Sequence, residues 1–149
     1  MKILLLENIR SMQNVGALFR NCDGAGFQKV ILTGYTPFPP RGEISKTALG
    51  SEESIDWEYF QDTTSCLQDL KKSGYQLYSI ELDDSAIDYK ELYQNTPKKI
   101  VFILGNEVFG VSKKTLEISD KIIMIPMLGK KESLNVSVAG GIVMYATVS

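Results

Sequence analysis

Short apolar runs recur along the chain. They lie too far apart to pair as hairpins and are too continuous to be half-exposed. Residues 2–6 (Lys-Ile-Leu-Leu-Leu), 29–33 (Lys-Val-Ile-Leu-Thr), 99–104 (Lys-Ile-Val-Phe-Ile-Leu) and 121–125 (Lys-Ile-Ile-Met-Ile) are such runs. A strand without polar alternation is covered on both faces, as in a parallel sheet flanked by helices. Residues 57–60 add a short edge strand and residues 76–82 a further one. Between the strands the spacing turns helical. Val15, Leu18, Phe19 and Cys22 follow Asn14 as N-cap and stop at Gly24 and Gly26; Cys66, Leu67 and Leu70 form the apolar face of 62–73; Ser112 caps a helix to Ile118. Pro37, Pro39 and Pro40 make 34–42 a loop, and 46–49 a helical turn. The pattern predicts an α/β fold: a mainly parallel sheet with helices on both faces.

The final helix, 135–148, carries Gly140 and Gly141, each costing roughly 1 kcal/mol against alanine inside a helix. Such glycines predict close approach of another backbone. The whole chain of 149 residues suits one domain. No stretch reaches the ~20 apolar residues of a membrane span, and the apolar start meets Glu7 at once, so a signal peptide is not expected. The two cysteines, Cys22 and Cys66, lack ligand spacing and read as reduced thiols of a cytoplasmic protein. There is no histidine, which excludes Ser-His-Asp and Cys-His triads and His-ligated zinc. The net charge of -2 requires any nucleic-acid patch to be local.

Three segments put polar residues where a parallel sheet binds ligands, beyond the carboxyl ends of its strands. The first is Asn14-Val15-Gly16-Ala17-Leu18-Phe19-Arg20. By spacing alone it reads first as an N-cap and a solvated arginine. The second, Gly105-Asn106-Glu107-Val108-Phe109-Gly110, follows the strongest strand. Its glycines let the backbone turn and approach a ligand, and Glu107 sets a carboxylate at the strand mouth, or simply on the surface. The third runs from Ile125 through Met127, Ser133, Leu134 and Asn135 into the last helix. Ser133 and Asn135 are also ordinary caps. A G-x-G-x-x-G after the first strand and a P-loop are both missing, which argues against a standard dinucleotide site or an NTPase.

In order, content and spacing, the three segments resemble the SpoU/TrmH branch of the SPOUT RNA 2′-O-ribose methyltransferases. The likeness covers essentially the whole chain, and Lys46-Thr47-Ala48-Leu49-Gly50-Ser51-Glu52 resembles a connection of tRNA-modifying members. The resemblance implies an α/β knot, in which the C-terminal segment forms a trefoil knot, and a homodimer whose sites are completed across the interface. It implies S-adenosylmethionine as cofactor, held by Ile80, Glu81, Leu104, Gly105, Asn106, Glu107, Gly110, Ile125, Met127, Ser133 and Leu134, with no metal. The resemblance implies Arg20 as the central catalytic residue, with Asn14, Glu107, Ser133 and Asn135 organising it and the target ribose. The arginine acts either as base or as an electrostatic stabiliser of the developing alkoxide.

The substrate implied is RNA, tRNA first and rRNA second. The 46–52 segment leans towards guanosine methylation in the tRNA D-loop, and the short chain is similar to wobble-nucleotide enzymes. No accessory RNA-binding domain is expected beside the catalytic domain of residues 1–149. RNA must then meet the domain surface. Arg10, Arg41 and Lys46 are the residues chosen for it, ahead of Lys113, Lys114, Lys130 and Lys131. The competing reading is a non-catalytic, RNA-associated cofactor-binding protein of the same fold.

Overall fold

The computed structural model describes residues 1–149. Its strands are β1 (Lys2–Glu7), β2 (Lys29–Thr33), β3 (Asp56–Phe60), β4 (Gln76–Ile80), β5 (Ile87–Asp88), β6 (Ile100–Leu104) and β7 (Lys121–Met124). Its α-helices are α1 (Met12–Ala25), α2 (Gly42–Ala48), α3 (Ser51–Ser54), α4 (Thr63–Lys72), α5 (Lys113–Ile118) and α6 (Val136–Tyr145). A 3-10 helix covers Tyr89–Tyr93. The strands form one sheet in the order β3-β2-β1-β6-β4-β7-β5, and every pairing in it is parallel.

Strand periodicity divides the core. In β1, Leu4 and Leu6 face one side with Val30, Leu32, Phe102 and the apolar faces of α1 and α6. Ile3 and Leu5 face the other, with Ile31, Val101, Ile103 and Leu67 of α4. Helices therefore cover both faces, as the unbroken apolar runs require. β1 sits between β2 and β6, so the chain changes winding direction beside it. At such a switch point the strand mouths leave a crevice.

Several local readings shift. Ser11, not Asn14, caps α1, with its hydroxyl accepting from the Asn14 N–H at 3.2 Å. Both residue types cap well. Starting the helix at Met12 leaves the Asn14 side chain free for a longer-range partner. Gly26 ends α1 in the left-handed region, φ 74°, whereas Gly24 stays inside the helix against the Tyr145 hydroxyl. β4 stops at Ile80 rather than residue 82, and the Glu81 side chain beyond it accepts from the Val111 N–H of another loop. β5 and the 3-10 helix were not expected, being too short to show a period.

The glycines of α6 do not meet another backbone. A Cβ on Gly140 would lie 2.6 Å from Leu18 Cδ2 and 2.9 Å from Leu104 Cδ1, and Gly141 faces the Asn21 amide. The close approach is to side chains of α1 and β6. The backbone-to-backbone contact is at Gly16, where a Cβ would strike the Ile44 carbonyl and the Ala48 amide of α2. No helix is long and apolar enough to cross a membrane.

Candidate active site

Beyond the carboxyl ends of β4, β6 and β7 lies a cavity of about 600 Å³, within the roughly 300–1,000 Å³ of small-molecule sites. Ile80, Leu104, Ile125, Met127 and Leu134 give it apolar walls. Glu81, Gly105, Asn106, Glu107, Gly110 and Ser133 also line it, so the structure brings together every residue expected around a cofactor. Asn135 lines the same cavity, whereas Asn14 and Arg20 do not.

The 105–110 turn is braced from within. Asn106 N–H donates to the Gly110 carbonyl at 3.1 Å and Gly110 N–H returns to the Asn106 carbonyl at 2.8 Å. Asn106 Nδ2 donates to the Asn8 carbonyl and to the Tyr35 hydroxyl, both at 2.9 Å. Its Oδ1 accepts from the amides of Val108 and Phe109, both at 2.9 Å. Both side-chain protons and the side-chain oxygen are thus engaged inside the protein. Asn106 shapes the turn and has no side-chain donor left for a ligand.

The glycines serve the same end. A Cβ at Gly105 would overlap the backbone of Gly110 and Val111, and one at Gly110, φ 72°, would overlap the Glu81 carboxylate. The close approach read from the sequence is that of the loop to itself. Glu81 Oε2 accepts from the Val111 N–H at 2.9 Å and ties β4 to the turn.

Glu107 reaches away from its own loop to the start of α1. Oε1 accepts from the Arg10 N–H at 2.8 Å, and Oε2 accepts from the Ser11 N–H at 2.9 Å and from Asn14 Nδ2 at 3.0 Å. The first turn of α1 carries no acid of its own. Glu107 supplies the negative charge that a helix N-terminus favours. Partial burial pushes the Glu107 carboxyl up, but the Arg10 and Ser11 amides and the Asn14 side chain outweigh it, and the net pKa is lowered from 4.5.

A carboxylate whose pKa is lowered by folding stabilises the protein above its unfolded pKa, and that stabilisation is lost as pH falls through the lower folded value. The stability gap between wild type and Glu107→Gln should therefore be present at neutral pH and close as the pH falls through the lowered folded value. Urea midpoints along that range measure it. A gap independent of pH would contradict this role.

Asn135 continues the chain of polar contacts. Its Oδ1 caps α6 by accepting from the Ser137 N–H at 2.9 Å, and its Nδ2 lies 3.5 Å from Asn14 Oδ1. Glu107, Asn14 and Asn135 thus form one line from β6 through α1 to α6. Ser133 lines the cavity without a hydrogen bond in this network.

Arg20 is not part of that line. It is six residues beyond Asn14, about 9 Å along the helix and on a different face. It is exposed and lines a separate groove, also about 600 Å³, with Asn21, Lys46, Thr47, Leu49 and Tyr145. Of the residues chosen for RNA, Lys46 shares that groove and pairs with Glu43 at 2.9 Å. Arg10 and Arg41 are exposed without ion pairs. Arg10 stands beside Glu107, whereas Arg41 precedes α2.

Glu7 escaped the sequence reading. It ends β1 on the same face as Ile3 and Leu5 and is only 4% exposed. Its carboxylate accepts from the Ser112 N–H at 2.8 Å, the Ser112 hydroxyl at 3.1 Å and the Thr115 hydroxyl at 2.6 Å. It anchors the N-terminus of α5 next to Val111, which lines the cavity. The available signal was its place at 7 in the 3, 5, 7 periodicity of the strand. No group of three or more His, Cys, Asp or Glu side chains is placed to hold a metal ion.

Residues 1–145 match the model of the SpoU rRNA Methylase family. The chain belongs to this family. Among its SpoU relatives, the tRNA (guanosine(18)-2′-O)-methyltransferase of Thermus thermophilus is 33% identical over 144 residues, 95% of this chain and 71% of that protein. The crystal structure of the Aquifex aeolicus TrmH/SpoU tRNA modifying enzyme superposes with a TM-score of 0.86 at 31% identity, over 98% of this chain and 73% of the other. The AdoMet-bound rRNA methyltransferase of Sinorhizobium meliloti superposes with a TM-score of 0.89 at 26% identity, over 98% of this chain and 55% of the other. The parallel sheet and flanking helices seen here are thus the fold of SpoU methyltransferases.

Proposed function

We propose that this SpoU family member transfers a methyl group from S-adenosylmethionine to a ribose 2′-hydroxyl of RNA, with tRNA the first candidate and rRNA the second. One observation carries the reading: the Glu107–Asn14–Asn135 line of side chains stands at the mouth of an apolar-walled cavity. The cavity's chemistry fits the cofactor. Ile80, Leu104, Ile125, Met127 and Leu134 suit an adenine, and the Glu81 carboxylate suits a ligand that carries cationic groups. Bound S-adenosylmethionine supplies a methyl group on a sulfonium, a leaving group that needs no metal to activate it.

The protein's share of the chemistry is positioning and charge. Glu107 is saturated by donors and a weak base, so it fixes Asn14 and the start of α1 rather than taking a proton. Asn14 and Asn135 orient the ribose. Arg20 binds a backbone phosphate and steadies the developing alkoxide, while the hydroxyl proton leaves to solvent.

Arg20 and the cavity occupy separate grooves of one copy, and the Arg20 groove is rimmed by exposed Leu49 and Tyr145. These features support a homodimer in which one copy's arginine meets its partner's cavity. A C-terminal trefoil knot is supported by the path of the chain. Between β7 and α6, Ile125, Met127, Ser133, Leu134 and Asn135 line the cavity together with the ends of β4 and β6, and α6 then packs on α1. The residues 1–149 act as one catalytic domain, and the buried, unpaired Cys22 and Cys66 suit the cytoplasm.

The test is transfer of labelled methyl from S-adenosylmethionine into undermodified bulk tRNA and rRNA, followed by nucleoside analysis. A 2′-O-methylated nucleoside is expected. Cofactor binding with no transfer to either RNA would instead support a non-catalytic, RNA-associated cofactor-binding protein.

A further inference from the structure

Tyr35 combines two properties that seldom coincide. It is 59% exposed, yet it is fixed at both ends. Its N–H donates to Asn8 Oδ1 at 3.0 Å, and its hydroxyl accepts from Asn106 Nδ2 at 2.9 Å. On either side the loop is pinned. The Gly34 carbonyl accepts from the Tyr59 hydroxyl, and the buried Thr36 hydroxyl accepts from the Ile9 N–H at 3.0 Å and donates to the Thr33 carbonyl at 2.8 Å. The residue is held before any ligand arrives and yet stays more than half exposed. Asn106, which holds it, precedes Glu107, and Glu107 holds the backbone of Arg10 at 2.8 Å. The exposed Tyr35, bonded to Asn106, and Arg10, bonded through its backbone to Glu107 and free of ion pairs, are thus tied to two adjoining residues of the site.

We propose that Tyr35 is the platform on which an unpaired nucleobase adjoining the reacting ribose stacks, with Arg10 taking the neighbouring phosphate. The inference rests on the RNA methyl-transfer reading and adds to it a determinant of RNA binding. Bases stack on aromatic side chains through π-faces that every base possesses, and a ring already immobilised loses little freedom on binding. A hydroxyl that only braced Asn106 would not need an exposed ring beneath it.

The experiment compares wild type, Tyr35→Leu, Tyr35→Phe and Arg10→Ala, using whichever of bulk tRNA or rRNA the wild type methylates. Apparent KM for the RNA, its salt dependence, kcat and S-adenosylmethionine affinity are measured for each. Tyr35→Leu should raise the KM for RNA roughly 5- to 150-fold, with cofactor affinity unchanged. Tyr35→Phe keeps the π-face and should stay within about threefold of wild type. Stacking releases no counterions, so Tyr35→Leu should keep the wild-type salt slope, whereas Arg10→Ala should lower it by about 0.7. Wild-type behaviour of Tyr35→Leu would overturn the proposal. So would equal losses in the Leu and Phe variants accompanied by weaker cofactor binding, the mark of a mere brace. If the wild type transfers no methyl to either RNA, the underlying activity reading fails first and takes this inference with it.

Discussion

Arg20→Ala should lose methyl transfer by about 10²–10³-fold or more, the scale of removing one charge-stabilising donor from a transition state. The same variant should bind S-adenosylmethionine about as tightly as wild type, because Arg20 lines a groove separate from the cofactor cavity. Its fold should also survive, since the side chain is exposed and makes no ion pair. Arg20→Lys retains the charge but not the planar fork that fits a phosphate, so only part of the activity should return. Single-turnover transfer and calorimetric cofactor titration separate the two effects. Full activity in Arg20→Ala would remove the arginine from the mechanism.

The second large effect is expected at Gly105. An alanine methyl there would fall within contact of the Gly110 carbonyl carbon and oxygen and the Val111 nitrogen. Those are backbone atoms and cannot rotate away, so the turn must shift. Overpacking of this kind costs about 1–3 kcal/mol. For a domain of this size the melting temperature should fall roughly 3–10 °C. Gly110 and Val111 line the cavity, so cofactor affinity should drop by at least about tenfold. Gly42→Ala is the control. A Cβ there meets nothing within 4 Å, and the site is the first residue of α2. It should be neutral or slightly stabilising. A Gly105→Ala protein with wild-type melting and cofactor affinity would show that the turn tolerates the methyl.

Much of the framework was legible because it is written in short-range patterns. The run 29–33 became β2 at the same bounds, and Ser112 caps α5, which ends at Ile118. Asp62 caps α4 and Asn135 caps α6, each through its own side chain. These outcomes depend on residues within a few positions of one another. The expectations that failed concern choices between locally equal candidates. Ser11 and Asn14 are both capping residues, and Glu107, from the far side of the sequence, settles which is used by binding the Arg10 and Ser11 amides and the Asn14 side chain. At Gly105, which lines the cavity, the space a side chain would take is filled by the loop's own return through Gly110 and Val111, a contact that periodicity does not show.

The same division holds for the site. Motif content and order bring the cavity residues into view, since each motif follows a strand and every strand mouth opens on the same end of a parallel sheet. The sequence by itself determined the alternation of buried strands and amphipathic helices, the two-sided core and the place where a ligand would lie. Tertiary structure alone decided which polar atoms remain for that ligand. Asn106 is consumed by Asn8, Tyr35 and its own turn; Glu107 is joined to α1; Glu7 is buried under α5; and Arg20 is turned into another groove. Apolar periodicity is a property of neighbours along the chain, so sequence carries it. Hydrogen-bond satisfaction is a property of neighbours in space, and these pairs, some of them about a hundred residues apart, meet only when the sheet closes.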